Sequence, residues 1–219
     1  MSKISKLDKF AQNQISENVI EPGKDWYERI KGQWRFFFNN ENPIVLELAC
    51  GWGEYTLSLA EHFPNKNYVG IDIKGDRIWR GSRDAMEKNL HNVAFLRTHI
   101  VEILGLFAKD EVDEIWLTFP DPQPKERNEK HRLSNIDFLN KYRQLLKSDG
   151  WFRFKTDNTG LFEYTLEVLK DVKIKDLEYT LDLYQSDMLS EHFGIQTKYE
   201  KIWTKKGEKI KYMKFRFAG

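Results

Sequence analysis

The order of apolar and polar residues predicts an α/β protein with a mostly parallel sheet. Short apolar segments typical of strands alternate with longer segments at helical spacing, which is the pattern of right-handed βαβ units. The first apolar segment, 44–49 (IVLELA), is nearly continuous, as expected for a strand covered on both faces. Two more strands are predicted near 176–184 and 209–217 without an obvious long helix between them. We therefore expect these last strands to add to the sheet in antiparallel orientation.

Composition restricts the class of protein further. The 219 residues are enough for one sizeable domain with appendages. No run of 18 apolar residues is present, so we expect a soluble protein without a membrane span. The N-terminus lacks the apolar region of a secretory signal, and the single cysteine, Cys50, excludes an intrachain disulfide. We therefore expect a cytoplasmic protein, and the five histidines show no metal-ligand spacing.

The elements of the core can be placed in order. Residues 1–43 are predicted to form an N-terminal extension, and residues 44–219 the main domain. Aromatic and basic residues interleave in the extension; they could stack on bases, but we expect them to pack the extension against its own domain. The domain is predicted to run through strand 44–49, helix 54–63, strand 68–73, helix 75–89, strand 93–96, short helix 101–107, strand 112–119, helix 133–146, strand 151–155 and helix 158–169.

A cofactor site is predicted at the first strand, turn and helix. Gly51 and Gly53 let the backbone turn sharply and approach a ligand in front of a helix N-terminus. Asp72 ends the second strand, where a carboxylate can accept hydrogen bonds from both ribose hydroxyls of an adenosine. This pattern suits NAD and S-adenosylmethionine alike. Thr56 occupies the place of the third glycine that helps to bind a pyrophosphate, and Glu47 lies inside the strand; both favour S-adenosylmethionine, which has no phosphate.

The segment 118–133 (TFPDPQPKERNEKHRL) is predicted to carry the reacting group. It directly follows the fourth strand, and ligands of open α/β sheets bind at that end of the strands. Its three prolines should stiffen the backbone around Asp121 and keep the preceding residues extended. Several cations follow, which suggests a grip on an anionic polymer; the alternative is a solvated surface loop. These cations are Lys125, Arg127, Lys130, His131 and Arg132.

Two later segments extend this site. The fifth strand closes with 155–158 (KTDN), which should lie beside 118–133 because strands four and five are expected to be neighbours. Asp157 there is either an N-cap of the following helix or a substrate contact, and the two roles are compatible. Residues 197–219 hold eight Lys and Arg against two Glu, which suits a polyanionic partner or a solvated hairpin face.

The motifs 47–53 (ELACGWG), 119–133 (FPDPQPKERNEKHRL), 155–164 (KTDNTGLFEY) and 197–200 (TKYE) together resemble those of the bacterial tRNA (guanine-N7-)-methyltransferases, over about residues 44–217. The resemblance implies the class I S-adenosylmethionine-dependent methyltransferase fold: Rossmann-like, with a mostly parallel seven-stranded sheet and an antiparallel C-terminal strand. It also implies methyl transfer from S-adenosylmethionine to N7 of guanine 46 in the variable loop of tRNA.

The resemblance also implies roles for individual residues. Asp121 becomes the active-site acid. Gln123 departs from the family pattern, which usually has Trp there, and His99 stands where an acid or amide is usual. The expected cofactor contacts are Glu47, Gly51, Gly53, Asp72, His99 and Asp121. The expected tRNA contacts are Lys125, Arg127, Lys130, Arg132, Asp157, Thr197, Lys198, Tyr199 and Glu200.

The chemistry agrees with this interpretation. Guanine N7 is a lone-pair nucleophile that needs no deprotonation, so catalysis rests on placement and electrostatics. Asp121 and Asp157 could stabilise the positive charge that methylation leaves on the base. Alternatives are an amino-group methyltransferase, although Pro124 stands where such enzymes stack an aromatic residue on the base, a non-catalytic RNA-binding protein on this scaffold, and an NAD enzyme. The sequence distinguishes neither a monomer from a homodimer nor one tRNA from another.

Overall fold

The computed structural model describes residues 4–218; residues 1–3 and 219 of the two predicted ranges lie outside it. Helices and strands alternate through most of the chain, as predicted. The helices are α1 (Lys6–Ile15), α2 (Asp25–Arg29), α3 (Trp34–Phe38), α4 (Glu54–His62), α5 (Gly75–Glu87), α6 (Ile103–Leu106), α7 (Ile136–Leu145), α8 (Thr159–Val168) and α9 (Lys198–Lys205). The strands are β1 (Val19–Ile20), β2 (Ile44–Leu48), β3 (Asn67–Asp72), β4 (Val93–Arg97), β5 (Val112–Thr118), β6 (Leu146–Thr156), β7 (Ile174–Thr180) and β8 (Lys211–Phe217). The chain divides into two compact units, Met1–Ala108 and Lys109–Gly219.

The first unit contains four parallel strands in the order β1-β4-β3-β2. Leu48 of β2 is in register with Ile71 of β3, and Asp72 of β3 with Arg97 of β4. The carboxyl ends of these three strands therefore lie side by side, at the same end of the parallel strands. All residues of β2 and β3 are buried, which explains the uninterrupted runs without charged residues in 44–46 of β2 and 68–71 of β3.

The described residues, 4–218, contain eight strands, one more than the seven expected, and the additional strand is β1. Val19 and Ile20 pair with Phe95 and Leu96 of β4. A two-residue strand leaves no periodic signal in a sequence, because alternation needs about four residues to become visible. The N-terminal extension thus contributes an edge strand to the first unit.

The packing of the extension against its own domain is confirmed. The Trp34 ring is fully buried and stacks on Phe107 at a centroid distance of 4.9 Å. Its indole N–H donates to the Leu106 carbonyl at 3.0 Å, so the polar end of the ring is also satisfied. Phe36 of the same helix is exposed.

The second unit has the strand order β5-β6-β8-β7. Strands β5 and β6 are parallel neighbours, with Thr118 in register with Lys155, as the sequence predicted. Strand β8 pairs antiparallel with both β6 and β7, so the antiparallel C-terminal strand is confirmed, whereas β7 runs in the same direction as β6. The short helix α9, which the sequence did not predict, lies between β7 and β8. Within residues 4–218, no helix has the length and apolar character needed to cross a membrane.

Candidate active site

The turn after β2 is shaped for the approach of a ligand. Gly51 and Gly53 both have positive φ, +57° and +72°, a conformation that glycine adopts without strain. A Cβ on Gly53 would lie 2.5 Å from Cε1 of Phe95, so only glycine fits there. A Cβ on Gly51 would meet nothing nearer than Nη1 of Arg77 at 4.0 Å, which leaves that face of the turn open.

Asp72 is held rigidly at the end of β3. Its side chain is buried, and Oδ2 accepts from the N–H of Gly51 at 3.0 Å while Oδ1 accepts from the N–H of Lys74 at 2.8 Å. A carboxylate oxygen has two lone-pair sites, so each oxygen keeps one after these bonds. The carboxylate can therefore take two further donors, the number of hydroxyl groups on a ribose.

Glu47 and Cys50 support the turn from within the fold. The Glu47 carboxylate is buried and accepts from the N–H of Thr56 at 2.8 Å and from the Thr56 hydroxyl, which fixes β2 to the first turn of α4. Thr56 is thus a partner of Glu47 and not merely a missing glycine. Burial, together with the charges of Glu47 and Asp72, raises the pKa of the Cys50 thiol well above its usual range. The thiol is therefore neutral and suits a small turn residue better than a nucleophile.

Three exposed apolar residues lie near Asp72 in the chain topology, at the carboxyl ends of the strands of the first unit. Trp52, Ile73 and Val101 follow the carboxyl ends of β2, β3 and β4, where the strand order brings those ends side by side. Sequence reasoning missed them, although an apolar residue just beyond a strand end was a usable signal. Such side chains suit the faces of an adenine ring. His99 is exposed just after β4, so its expected cofactor contact stays a prediction.

The backbone around Asp121 corrects one expectation. Phe119 and Gln123 each precede a proline, yet both have positive φ, +47° and +45°, instead of the extended geometry that was predicted. Hydrogen bonds explain the difference: the Phe119 N–H donates to the Lys155 carbonyl at 2.8 Å, and the Gln123 N–H donates to Oδ1 of Asp121 at 3.1 Å. Non-glycine residues in this region cost roughly 1–3 kcal/mol each and cluster at functional sites.

Arg132 braces the loop that carries Asp121. Its Nε donates to the Gln123 carbonyl at 3.2 Å, and its guanidinium lies 4.3 Å from the centre of the Tyr164 ring. Oε1 of Gln123 accepts from Nδ2 of Asn128 at 3.3 Å, so the residue that replaces the usual tryptophan is part of the same brace. By contrast, the side chains of Lys125, Arg127 and Lys130 are exposed.

Asp157 lies in the loop after β6 and is not the N-cap of α8. That cap is Asn158, whose Oδ1 accepts from the Leu161 N–H at 2.8 Å, so the capping alternative for Asp157 is wrong. Oδ2 of Asp157 accepts from the Tyr199 hydroxyl at 3.2 Å instead. Burial and the charge of Asp157 raise the pKa of Tyr199 to about 12, with a further contribution from the charge of Asp121. The hydroxyl therefore remains a donor at neutral pH.

Glu200 is the expected tRNA contact that the structure places furthest from solvent. Its side chain is 0% exposed; the carboxylate pairs with Nζ of Lys155 at 2.8 Å and accepts from the Tyr184 hydroxyl at 2.8 Å. Thr197 caps α9 by accepting from the Glu200 N–H at 3.1 Å, while Lys198 is exposed. This geometry indicates that Glu200 fixes α9 to β6 and so positions Tyr199; a direct substrate contact of Glu200 stays a prediction.

The two units therefore hold two kinds of site. The first has a glycine turn, a fixed acid and exposed apolar side chains. The second has Asp121, Asp157 and Tyr199 with exposed cations. Among residues 4–218, no cluster of three or more His, Cys, Asp or Glu side chains has the arrangement of a metal site.

Solved structures of similar architecture identify the fold class. An antibiotic-related methyltransferase matches with a TM-score of 0.63 at 19% identity, over 86% of this chain and 94% of that one. The 16S rRNA methyltransferase KamB matches with a TM-score of 0.64 at 14% identity, again over 86% and 94%. At such identities the likeness shows the fold alone, which is that of the S-adenosylmethionine-dependent methyltransferases.

Sequence comparison identifies the family. The family model "Putative methyltransferase" matches residues 41–213. A tRNA (guanine-N(7)-)-methyltransferase of Cytophaga hutchinsonii is 50% identical over 214 residues, which cover 97% of each chain. A protein of the same name from Christiangramia forsetii is 46% identical over 222 aligned residues, 99% of each chain. The chain belongs to the tRNA (guanine-N7-)-methyltransferase family.

Proposed function

We propose that this protein transfers a methyl group from S-adenosylmethionine to N7 of guanine 46 in the variable loop of tRNA. The names of the relatives support tRNA as substrate and guanine N7 as the acceptor atom. Position 46 rests on the motif resemblance of 119–133 and 155–164. We also propose that the protein acts in the cytoplasm, where tRNA is modified.

The first unit would hold the cofactor. The open face of Gly51 lets the backbone approach a ligand, and the spare lone pairs of Asp72 match the ribose hydroxyls. When bound, S-adenosylmethionine supplies an electrophilic methyl group on a positively charged sulfur. Glu47 keeps the glycine turn in place through its hydrogen bond with Thr56, and so would support the part of the turn that contacts the cofactor.

The second unit would hold the base, and one observation carries this proposal. Asp121 and Asp157 follow the ends of the neighbouring parallel strands β5 and β6, and Tyr199 contacts both loops: its hydroxyl donates to Asp157, and its ring packs on Phe119, two residues before Asp121. Two carboxylates near one aromatic ring can accept from the N1–H and N2–H of a guanine and stabilise the positive charge that N7 methylation creates. Neither has to remove a proton, because N7 already carries a lone pair.

The exposed cations extend the base site into a surface for the tRNA backbone. Lys125, Arg127 and Lys130 follow the Asp121 loop, and Lys198 begins α9 beside Tyr199. Cations at such positions bind phosphates and orient the polynucleotide without reading its sequence. Part of the C-terminal excess of cations serves the fold instead, since Lys211 is buried and donates to the Asp157 carbonyl at 2.8 Å.

The proposal is tested with purified protein, S-adenosylmethionine and two tRNA transcripts, one natural and one with guanine 46 replaced by adenine. We expect 7-methylguanosine in the first transcript and none in the second, with activity retained in a chelator. Methylation of an exocyclic amine would favour the amino-group alternative. Binding of tRNA without methyl transfer would favour a non-catalytic RNA-binding protein.

A further inference from the structure

Helix α1 buries a polar residue and exposes apolar ones. Leu7 and Ile15 are 83% and 81% exposed, whereas Asn13 is 0% exposed. Its Nδ2 donates to the Gly75 carbonyl at 2.8 Å. A helix that packed only by the hydrophobic effect would show the opposite pattern. The hydrogen bond to Gly75 is therefore one of the polar contacts that orient this helix, beside the bond that Gln12 accepts from the Trp79 indole at 2.6 Å.

Gly75 belongs to the turn that carries the proposed ribose acceptor. It follows Asp72 by three residues, and the Lys74 N–H between them donates to Asp72. A Cβ on Gly75 would lie 2.6 Å from Cε1 of Phe10, so the α1 ring packs directly on this backbone. Asn13 and Phe10 thus fix the position of the turn on the α5 side of Asp72.

The chain after α1 contacts the other side of Asp72. Oε2 of the buried Glu21 accepts from Nη1 of Arg97 at 3.0 Å, and Arg97 is the β4 residue in register with Asp72. The Tyr27 and Thr98 hydroxyls are 3.0 Å apart, and the Thr98 N–H donates to the Asp72 carbonyl at 3.2 Å. The bonds of Glu21 and Tyr27 thus restrain the two β4-side residues, Arg97 and Thr98, that lie beside the Asp72 backbone.

We infer that the N-terminal segment, residues 10–27, positions Asp72 for the ribose of the cofactor, with Asn13, Glu21 and Tyr27 as its positioning residues. The inference rests on the proposed cofactor site. A carboxylate that must accept from two hydroxyl groups at once depends on its exact orientation, because hydrogen bonds weaken steeply as they bend. Through three separate hydrogen bonds the segment holds Gly75, Arg97 and Thr98, which flank Asp72 on two sides, and an acceptor is preorganised by such supporting contacts.

The test measures binding of S-adenosylhomocysteine, the product form of the cofactor, to the full-length protein by calorimetry. Asn13→Ala and Tyr27→Phe should each raise the Kd by about 3–10-fold, the range of one lost hydrogen bond. Gln14→Ala changes an exposed residue of the same helix and serves as the control, with an unchanged Kd. The affinity for tRNA should be the same in all four proteins.

A double-mutant cycle separates positioning from general stability. In the Asp72→Ala background, Tyr27→Phe should have almost no further effect on the Kd, because the group that it positions is gone. Tyr27→Phe removes a single oxygen atom, so this variant should fold even if Asn13→Ala does not. Its thermal unfolding temperature, compared with that of the wild type, shows that it is folded and keeps the test valid.

Three outcomes would overturn the inference. The first is a wild-type Kd in both variants, and the second is full additivity with Asp72→Ala. The third is a loss of tRNA affinity at unchanged cofactor affinity, which would make the segment an RNA contact. Failure of the wild-type protein to bind S-adenosylhomocysteine would instead overturn the proposed cofactor, and the inference with it.

Discussion

Tyr199 donates its hydroxyl to Oδ2 of Asp157 at 3.2 Å, while its ring centre lies 5.4 Å from that of Phe119. One side chain of α9 therefore contacts the loops that follow both β5 and β6. The arrangement sets the spacing of the two acidic loops and leaves the ring partly exposed, where a base could stack on it.

We predict that Tyr199→Phe lowers kcat/KM for tRNA by about 3–10-fold, since the loss of one hydrogen bond to a carboxylate frees Asp157 while the ring is kept. Tyr199→Ala should cost more, because the stacking surface goes as well. Cofactor affinity, measured by calorimetry, should match the wild type in both. Equal kcat/KM for Tyr199→Phe and wild type would show that the hydrogen bond has no role in the reaction.

Asp121→Asn tests the charge at the proposed reacting centre without disturbing the loop. The asparagine Oδ1 can still accept from the Gln123 N–H, so the positive-φ turn is retained. We predict that the single-turnover rate falls at least about tenfold, or ~1.4 kcal/mol of transition-state stabilisation, and more than in Asp157→Asn. Rapid-quench measurement at saturating tRNA checks this. A rate near that of the wild type would mean that Asp121 has no electrostatic role.

The exposed cations of the loop should make tRNA binding depend on salt. We predict that Arg127→Gln combined with Lys130→Gln lowers the slope of log Kd against log salt by about 1.4–1.8, at roughly 0.7–0.9 per lost phosphate contact. Lys170→Gln is the control and should leave the slope unchanged. Lys170 follows the C-terminus of α8, whereas Asp157 precedes the N-terminus of that helix. Filter binding over a range of salt concentrations gives the slopes, and identical slopes in all proteins would make the loop a solvated surface.

Arg132 should behave differently from these cations. Its guanidinium already contacts Gln123 and Tyr164, so its removal releases the loop. Arg132→Gln should therefore lower the methylation rate at saturating tRNA as well as the affinity for tRNA. Rapid-quench measurement at saturating tRNA distinguishes it from the variant that combines Arg127→Gln with Lys130→Gln, whose rate should be unchanged.

The buried pair of Lys155 and Glu200 should contribute strongly to stability. Lys155→Met or Glu200→Gln alone takes the opposite charge away from a buried charged group, and we predict a loss of about 3–5 kcal/mol in the free energy of unfolding. The double variant should lose less than the sum of the two. Lys170→Met breaks the exposed pair with Glu167 and should cost less than about 1 kcal/mol. Urea unfolding at neutral pH measures all four.

Stability should also fall in acid because of Glu200. Burial alone would raise the pKa of this carboxyl, but the hydrogen bond to His192 and the charge and hydrogen bond of Lys155 hold it below its ordinary value of 4.5. A carboxyl whose pKa is lowered by folding stabilises the fold above its unfolded pKa. This contribution is lost as the pH falls below about 4.5 and through the lowered pKa. Urea midpoints of Glu200→Gln should therefore depend less on pH in that range than those of the wild type.

The sequence by itself determined the order of strands and helices from β2 to α8, the glycine turn and the placing of Asp72 and Asp121 at strand ends. These features are local: apolar periodicity, glycine and proline act within a few residues of where they stand. The pairing of β5 with β6 also followed, because consecutive strands joined by a helix are usually neighbours in a parallel sheet.

Only the tertiary structure decided the rest, because it depends on partners distant in the chain. Asn13 meets Gly75 across 62 residues, and nothing near either one indicates the other. The positive φ of Phe119 follows from a hydrogen bond to Lys155, which overrides the local preference set by the next proline. Glu200 looked like a surface acid in a basic segment, yet its burial follows from the charge of Lys155 on a neighbouring element. A side chain's own type gives its chemistry, but the groups that desolvate, orient or neutralise it are known only once the chain has folded.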